Sequence, residues 1–355
     1  MRALPLALAL AVMLTVLLPV PAFAVTRTYY IAADEVIWNY TPGGRDLISD
    51  KPLPAMAPTQ FGWSYRKAIY RGYSDATFKH LTPRTSQDAY LGLLGPVIRA
   101  EVGDQVIVVF KNNSRIPLSV HAHGLMYDKA SEGALYQDGT AKKADDAVPP
   151  GHVYTYHWSV PDRAGPARGD PSSVIWMYHS HTDEYQDVNT GPVGSIVVTG
   201  RGQAKPNGAP KDVDREVFTV FAEFDEGASR YLAVNQADLV LNPKHAKALG
   251  PAQGDNEFFT INGFLFGTMP VPILHKGERV RWYVMATMSD FDFHTPHWHG
   301  QTVTADGMRT DLVELSPMSM RSVEMLPDNV GLWLFHCHVM GHLSGGMEAR
   351  FKVVP

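Results

Sequence analysis

Cysteine is almost missing from this chain of 355 residues, which carries only Cys337. A single thiol excludes an internal disulfide, so stability must come from packing, bound metal or assembly. Basic residues do not outnumber acidic ones, 31 against 36, and no face for nucleic acid is suggested. No long apolar run follows the first segment, which argues against a membrane span. Helical periodicity is scarce, with one short candidate at Ala233 to Val240. A methionine-rich run is absent too, Met318 and Met320 being the nearest approach to one.

Residues 1–24 read as an export leader: Arg2, an apolar run from Ala3 to about Val20, then Ala22-Phe23-Ala24 as a small-residue cleavage site. The mature chain is expected to start at Val25 and to be periplasmic or secreted. Short alternating segments follow, bounded by Gly, Pro, Asn and Asp. Among them are Gln105 to Phe110, Val153 to Val160, Ser195 to Thr199, Val217 to Glu223, Val280 to Thr287 and Ala349 to Val354. They predict an all-β protein built of sandwiches. The Gly-, Pro- and Lys-rich stretch Gly200 to Lys211 reads as a linker, giving domains at 25–205 and 206–355. Around it runs an internal repeat: VGDQVIVVF at 102 answers KGERVRWYV at 276, HAHG answers HWHG, and WMYHSH answers WLFHCH.

Ten of the fifteen histidines fall in four short motifs: His121 and His123; His179 and His181; His294, His297 and His299; His336, His338 and His342. Alternate strand residues face opposite ways, so His336 and His338 share one face while Cys337 takes the other. One strand can thus touch two metal sites. With His342, Met347 and one further histidine, Cys337 would complete a His₂Cys set with a weak axial thioether, which suits copper. Across the repeat Leu118 stands opposite His294, Ser180 opposite Cys337, Tyr185 opposite His342 and Thr190 opposite Met347. The first copy therefore lacks the cysteine-type set.

These four motifs resemble those of the multicopper oxidases, in that family's order. The resemblance implies two cupredoxin-like Greek-key β-sandwich domains and four coppers per chain. It makes His294, Cys337, His342 and Met347 the type 1 ligands, His121 and His297 the type 2 ligands, and His123, His179, His181, His299, His336 and His338 the type 3 ligands. Dioxygen would be reduced to water with electrons from a small donor. The domain count resembles the small laccases, which implies a homotrimer and phenols or aromatic amines as donors. YYIAADEVIWNYTPGGRD at 29 and LGLLGPVIRAEVGD at 91 instead look like ceruloplasmin repeats, which raises a ferroxidase or other metal-ion oxidase as the alternative. A two-domain copper nitrite reductase would leave the complete histidine motifs unexplained.

Oxygen reduction consumes protons, so an acid near the type 2 ligands is expected. Glu132, with Asp128 behind it, is the candidate in HGLMYDKASEG, and Tyr127 is the candidate redox tyrosine. On the donor side Asp311 matches an acidic position of the ceruloplasmin pattern. Glu226, Asp225 and Glu314 are further acids that could hold Fe(II) or Mn(II) near the type 1 site. His80, His152, His157, His245 and His275 have no assigned role.

Overall fold

The computed structural model describes residues 24–57, 60–141, 143–238, 256–287 and 292–355. The expected leader lies outside the described residues except for Ala24, and His245 lies outside them as well. In the first half the strands are β1 (Thr26–Asn39), β2 (Arg45–Asp46), β3 (Lys51–Pro52), β4 (Ser64–Tyr73), β5 (Ile98–Glu101), β6 (Gln105–Asn112), β7 (His121–Ala122), β8 (Val153–Ser159), β9 (Ser173–His179) and β10 (Val193–Thr199). In the second they are β11 (Arg215–Asp225), β12 (Glu257–Ile261), β13 (Ile273–His275), β14 (Val280–Ala286), β15 (Pro296–Trp298), β16 (Val303–Ala305), β17 (Met308–Thr310), β18 (Met320–Met325), β19 (Gly331–Cys337) and β20 (Glu348–Val354). Three short helices interrupt them: α1 (Glu184–Thr190), α2 (Leu232–Asp238) and α3 (Met340–Ser344). The expected helix at Ala233 is α2.

Sheet topology repeats with the sequence. Sheet β4-β1-β6-β8 of the first half corresponds to β12-β11-β14-β18 of the second, and β5-β10-β9-β7 corresponds to β13-β20-β19-β15. Each half is a cupredoxin-like sandwich with parallel pairing in both sheets, β1 with β6 and β5 with β10, then β11 with β14 and β13 with β20. The Gly200–Lys211 stretch is a compact turn, tied by Lys205 N–H to Ala209 O and by the Thr199 hydroxyl to Gly208 O.

Burial shows how the halves dock. Strand β6 alternates, burying Val106, Val108 and Phe110 while its other face stays partly open. Its counterpart β14 is buried on both faces, because β9 and β10 of the first half lie across it. Ser173 meets the Tyr283 hydroxyl at 2.6 Å, Ser195 reaches Met285 Sδ at 3.6 Å, and the Ile175 amide donates to Ser322 at 3.1 Å. Between the halves Lys67 and Glu226, both fully buried, meet at 2.5 Å. Tyr40 donates to the same Glu226 oxygen at 2.5 Å, and the ammonium also reaches Asn189 O and stands 4.3 Å from the Phe224 ring. Burial pushes the Glu226 carboxyl up and the Lys67 ammonium down, while each holds the other charged.

Glu226 is therefore a structural anchor, closed to any substrate ion. Converting it to Leu strands a buried ammonium and should cost about 3–5 kcal/mol, while Lys67→Met added to it should restore most of the loss. Urea unfolding of the two variants checks this; equal stability of the single and double variants would contradict it.

Candidate metal centres

The Cys337 centre forms where β19 runs into α3. A tight loop brings the chain back on itself, with Met347 N–H donating to His342 O and Cys337 N–H to Met347 O. His294 enters from the segment before β15. Cys337 Sγ lies 3.6 Å from His342 Nδ1 and 4.0 Å from His294 Nδ1. All three and Met347 are buried. Burial would raise the Cys337 thiol, but His294, His342 and the Thr295 amide, 3.3 Å from Sγ, hold it down to about 6. His342 is correspondingly held up to about 9, against burial, by Cys337 and Glu223. A thiolate between two imidazoles, with a buried methionine on the adjoining loop, fits copper.

The outer nitrogen of His342 is covered. Glu223 Oε1 lies 2.8 Å and Asp292 Oδ2 3.6 Å from Nε2, and the Phe259 ring stacks on the imidazole at 4.7 Å. His342 is 1% exposed and His294 0%, so neither presents an open edge to solvent. Glu223 was not singled out from the sequence, although it lies two residues past Phe221, whose ring packs against His294 at 5.8 Å. Strand alternation along β11 gives the two the same face.

Four histidines gather at the end of β7 and β9. The His121 ring lies 5.4 Å from His123, 5.7 Å from His179 and 5.1 Å from His181. His121 Nδ1 contacts Glu132 O at 2.7 Å and His179 Nδ1 contacts Ser180 O at 3.0 Å, which leaves each Nε2 for a metal. His123 and His179 bring their Nε2 atoms to 2.9 Å. The second set stands on β15 and β19. His336 Nε2 is 3.0 Å from His299 Nε2 and 3.3 Å from His297 Nδ1, and the His338 ring lies 4.7 Å from both His297 and His336. Burial and neighbouring imidazoles hold His179 down to about 3 and His123 and His336 to about 4. These three rings are neutral near pH 7, as metal ligation requires. No ring contact joins the two sets among the described residues.

The HAHG and HWHG motifs are each closed by a glycine with a positive φ, Gly124 at +75° and Gly300 at +66°. A Cβ there would fall 2.3 Å from Trp176 and 2.5 Å from Trp333, the tryptophans that begin WMYHSH and WLFHCH. The repeated glycine lets the two histidine strands approach. In the first half the positions matching the Cys337 centre are otherwise occupied. Ser180 donates to Asp187 at 2.7 Å, Asp187 pairs with Arg230 at 2.9 Å, and Leu118 is fully buried.

The second line of expected residues fares unevenly. Tyr127 stands edge-on to His121 at 5.9 Å. Glu132 touches His121 only through its backbone, its carboxylate being held by Lys129 at 2.5 Å, and Asp128 accepts from the Ala130 amide in a local turn. Glu184, three residues past His181, is the carboxylate that reaches the first set, 2.9 Å from His181 Nε2 and 3.8 Å from His179 Nε2. Asp311, expected beside the Cys337 centre, instead lies 3.5 Å from His297 Nε2 in a cleft shared with Asp328. The Trp298 amide bonds Asp311 O and thereby fixes that segment along β15. Asp225 accepts from the Gly227 amide in a local turn, Glu226 is buried against Lys67, and Glu314 is exposed.

Comparison with known proteins points one way in both halves. Residues 75–203 and 241–355 match family models each described as multicopper oxidase. Hephaestin of Rattus norvegicus is 37% identical over 347 residues, 94% of this chain and 30% of that protein. Ferroxidase HEPHL1 of Mus musculus is 39% identical over 93% of this chain and 29% of its own length. Ceruloplasmin of Homo sapiens is 34% identical over 92% and 32%. The chain thus spans about three tenths of these relatives. A crystal structure of a multicopper oxidase, 18% identical, superposes with a TM-score of 0.60 over 93% of this chain and 89% of that one, a likeness of fold.

Gly300→Ala should cost about 1–3 kcal/mol through the positive φ alone, and more as Trp333 is displaced. Urea unfolding measures the cost, and metal retained per chain should fall with it. Unchanged stability would mean that the close approach at β15 and β19 is not required.

Proposed function

The chain belongs to the multicopper oxidases, and from that membership we propose that it oxidises ferrous iron, four ions per dioxygen, with four protons taken up and two waters formed. Glu223 carries this reading. A phenol needs an open imidazole edge to hand over its electron, whereas here both imidazoles are buried and the outer nitrogen of His342 faces carboxylates. Hard oxygen donors suit a divalent cation. The names of the relatives, hephaestin and a ferroxidase, support the same choice, so the laccase-like expectation gives way to its alternative.

We assign His294, Cys337, His342 and Met347 to a type 1 centre, His121 and His297 to type 2, and His123, His179, His181, His299, His336 and His338 to type 3. Copper, four per chain, would supply one-electron transfer at the first and dioxygen reduction at the shared cluster. Glu223 and Asp292 bind and orient the cation against His342. Cys337 and its neighbour His336 form the covalent route between the centres. Asp311 Oδ2 is placed to hold a proton beside His297, and Glu184 beside His181.

Because the two histidine sets do not meet within one chain, a complete cluster needs the first half of one subunit and the second half of another. The open faces support this. Ile273 and Leu332 are about half exposed on the outer face of β13-β20-β19, whose counterpart β5-β10-β9 is buried against the second half. The face of β6 that matches the docked face of β14 is correspondingly open. Head-to-tail contacts of this kind close into a ring, here of three subunits. We place the protein outside the cytoplasm, on the leader-like first residues; no helix among the described residues is long and apolar enough to cross a membrane.

Glu223→Gln should lower kcat/KM for Fe(II) by about tenfold to a hundredfold, the worth of a charge-assisted contact, while changing a bulky phenol little. Oxygen uptake with both donors decides; equal losses would point to a role in tuning His342 alone. Leu332→Glu should yield a subunit that sediments as a monomer, keeps the thiolate-to-copper absorption and no longer consumes oxygen. A fully active monomer would refute the shared cluster.

A further inference from the structure

One cavity among the described residues lies apart from both histidine sets and from Cys337. It lies in the first half at the open edge of the sandwich, between β4 and the segment leading into β5, and encloses about 780 Å³. That is the size of a small-molecule site. Tyr29, Ile31, Ile69, Leu91 and Val97 supply an apolar wall. Three arginines line the same space, and their partners differ. Arg99 is paired with Glu216 at 2.7 Å and Arg71 with Asp34 at 3.6 Å. Arg84 makes no ion pair among the described residues. It donates instead to the carbonyls of Gly92 and Leu94. The one acid in the lining, Asp88, is turned to the Thr85 hydroxyl at 2.6 Å.

A guanidinium has five N–H donors, so the two carbonyl bonds leave three unspent. Two neutral acceptors orient the fork without neutralising it. Burial lowers the Arg84 pKa from its ordinary value, with Asp88 giving partial relief. A cation at the rim of an apolar cavity, with three N–H donors free and no contact anion among the described residues, favours a ligand that brings the missing charge together with an apolar body.

We propose that this cavity is a binding site for an organic monocarboxylate with an aromatic or aliphatic body, its carboxylate on Arg84 and its body along Ile31, Ile69 and Leu91. The site is separate from both histidine sets and from Glu223, so it does not depend on the proposed oxidase reaction. A neutral acceptor in place of the carboxylate would leave Arg84 uncompensated, so charge and not size sets the selectivity.

Calorimetric titration of the copper-loaded protein with 4-phenylbutyrate and with its amide tests this. The acid should bind at least about tenfold more tightly than the amide. Arg84→Gln should erase that difference, and Leu91→Trp, which fills the cavity, should abolish binding of both. Loss of the acid in Leu91→Trp also excludes attachment at copper, and Fe(II) oxidation should stay at the parental rate in both variants. Equal affinity for acid and amide, no binding of the acid, or acid binding that survives Leu91→Trp would each overturn the proposal. If Arg84→Gln fails to fold, the acid–amide comparison on the parent protein and the Leu91→Trp result still decide it.

Discussion

The alternation of one strand governs the molecule. Along β19 Phe335 and Cys337 point into the sandwich, and Leu332, Leu334 and His336 point out of it. A thiolate and an imidazole on successive residues must then serve two different environments, one inside the sandwich with His294 and His342, the other on its far side among His297, His299 and His338. The route between the centres is as short as the backbone permits, because it is the backbone. Everything else keeps those two environments apart: the buried Phe221 and Phe335 behind Cys337, the histidines packed around His336, and the glycine that lets β15 lie against β19.

The two halves share a topology and differ in what they bury. In the first half the outward face is used up inside the chain, pressed onto β14 and β18, and the position of the cysteine is taken by Ser180, hydrogen-bonded to Asp187, which in turn pairs with Arg230. Losing the thiolate there frees that volume for a contact between halves, since Arg230 belongs to the second. Lys67 and Glu226 make a second such contact. Buried ion pairs contribute little net stability against apolar replacements, but they tolerate no sliding. Two of them across one junction fix the orientation in which each half presents its histidines.

The histidine clusters were legible in the sequence because each sits in a short motif whose spacing is itself the geometry: HxH on a strand puts two imidazoles on one face. Topology was legible from the repeat. The carboxylates were not. Asp311 was assigned to the Cys337 centre because it follows HTPHWHG in the chain, yet β15 carries the chain away from His294, and by residue 311 it runs beside His297. Glu226 looked like a loop acid, but its environment is made by Tyr40 and Lys67, more than 150 residues earlier in the chain. Glu223 and Glu184 were passed over for the converse reason. Glu223 sits inside an apolar strand, where a carboxylate reads as an interruption, and Glu184 follows a motif that already looked complete. Strand parity with Phe221 and the three-residue step from His181 were the available signals.

Under the proposed function substrate choice turns on covering, not on openness. An oxidase that accepts electrons from many organic donors needs little beyond an accessible imidazole edge, and selectivity arises only from shape. Here the edge is closed by a carboxylate in contact with the outer nitrogen, Nε2, and a phenyl ring stacked on its face. On that reading a cation that displaces or shares the carboxylate would gain a short path to His342, while a neutral ring of the same size would gain nothing from the charge. The same glutamate covers the outer nitrogen of His342. Broad donor range and protection of a buried thiolate are competing demands at this position, and under the proposed function Glu223 would resolve them in favour of a small hard ion.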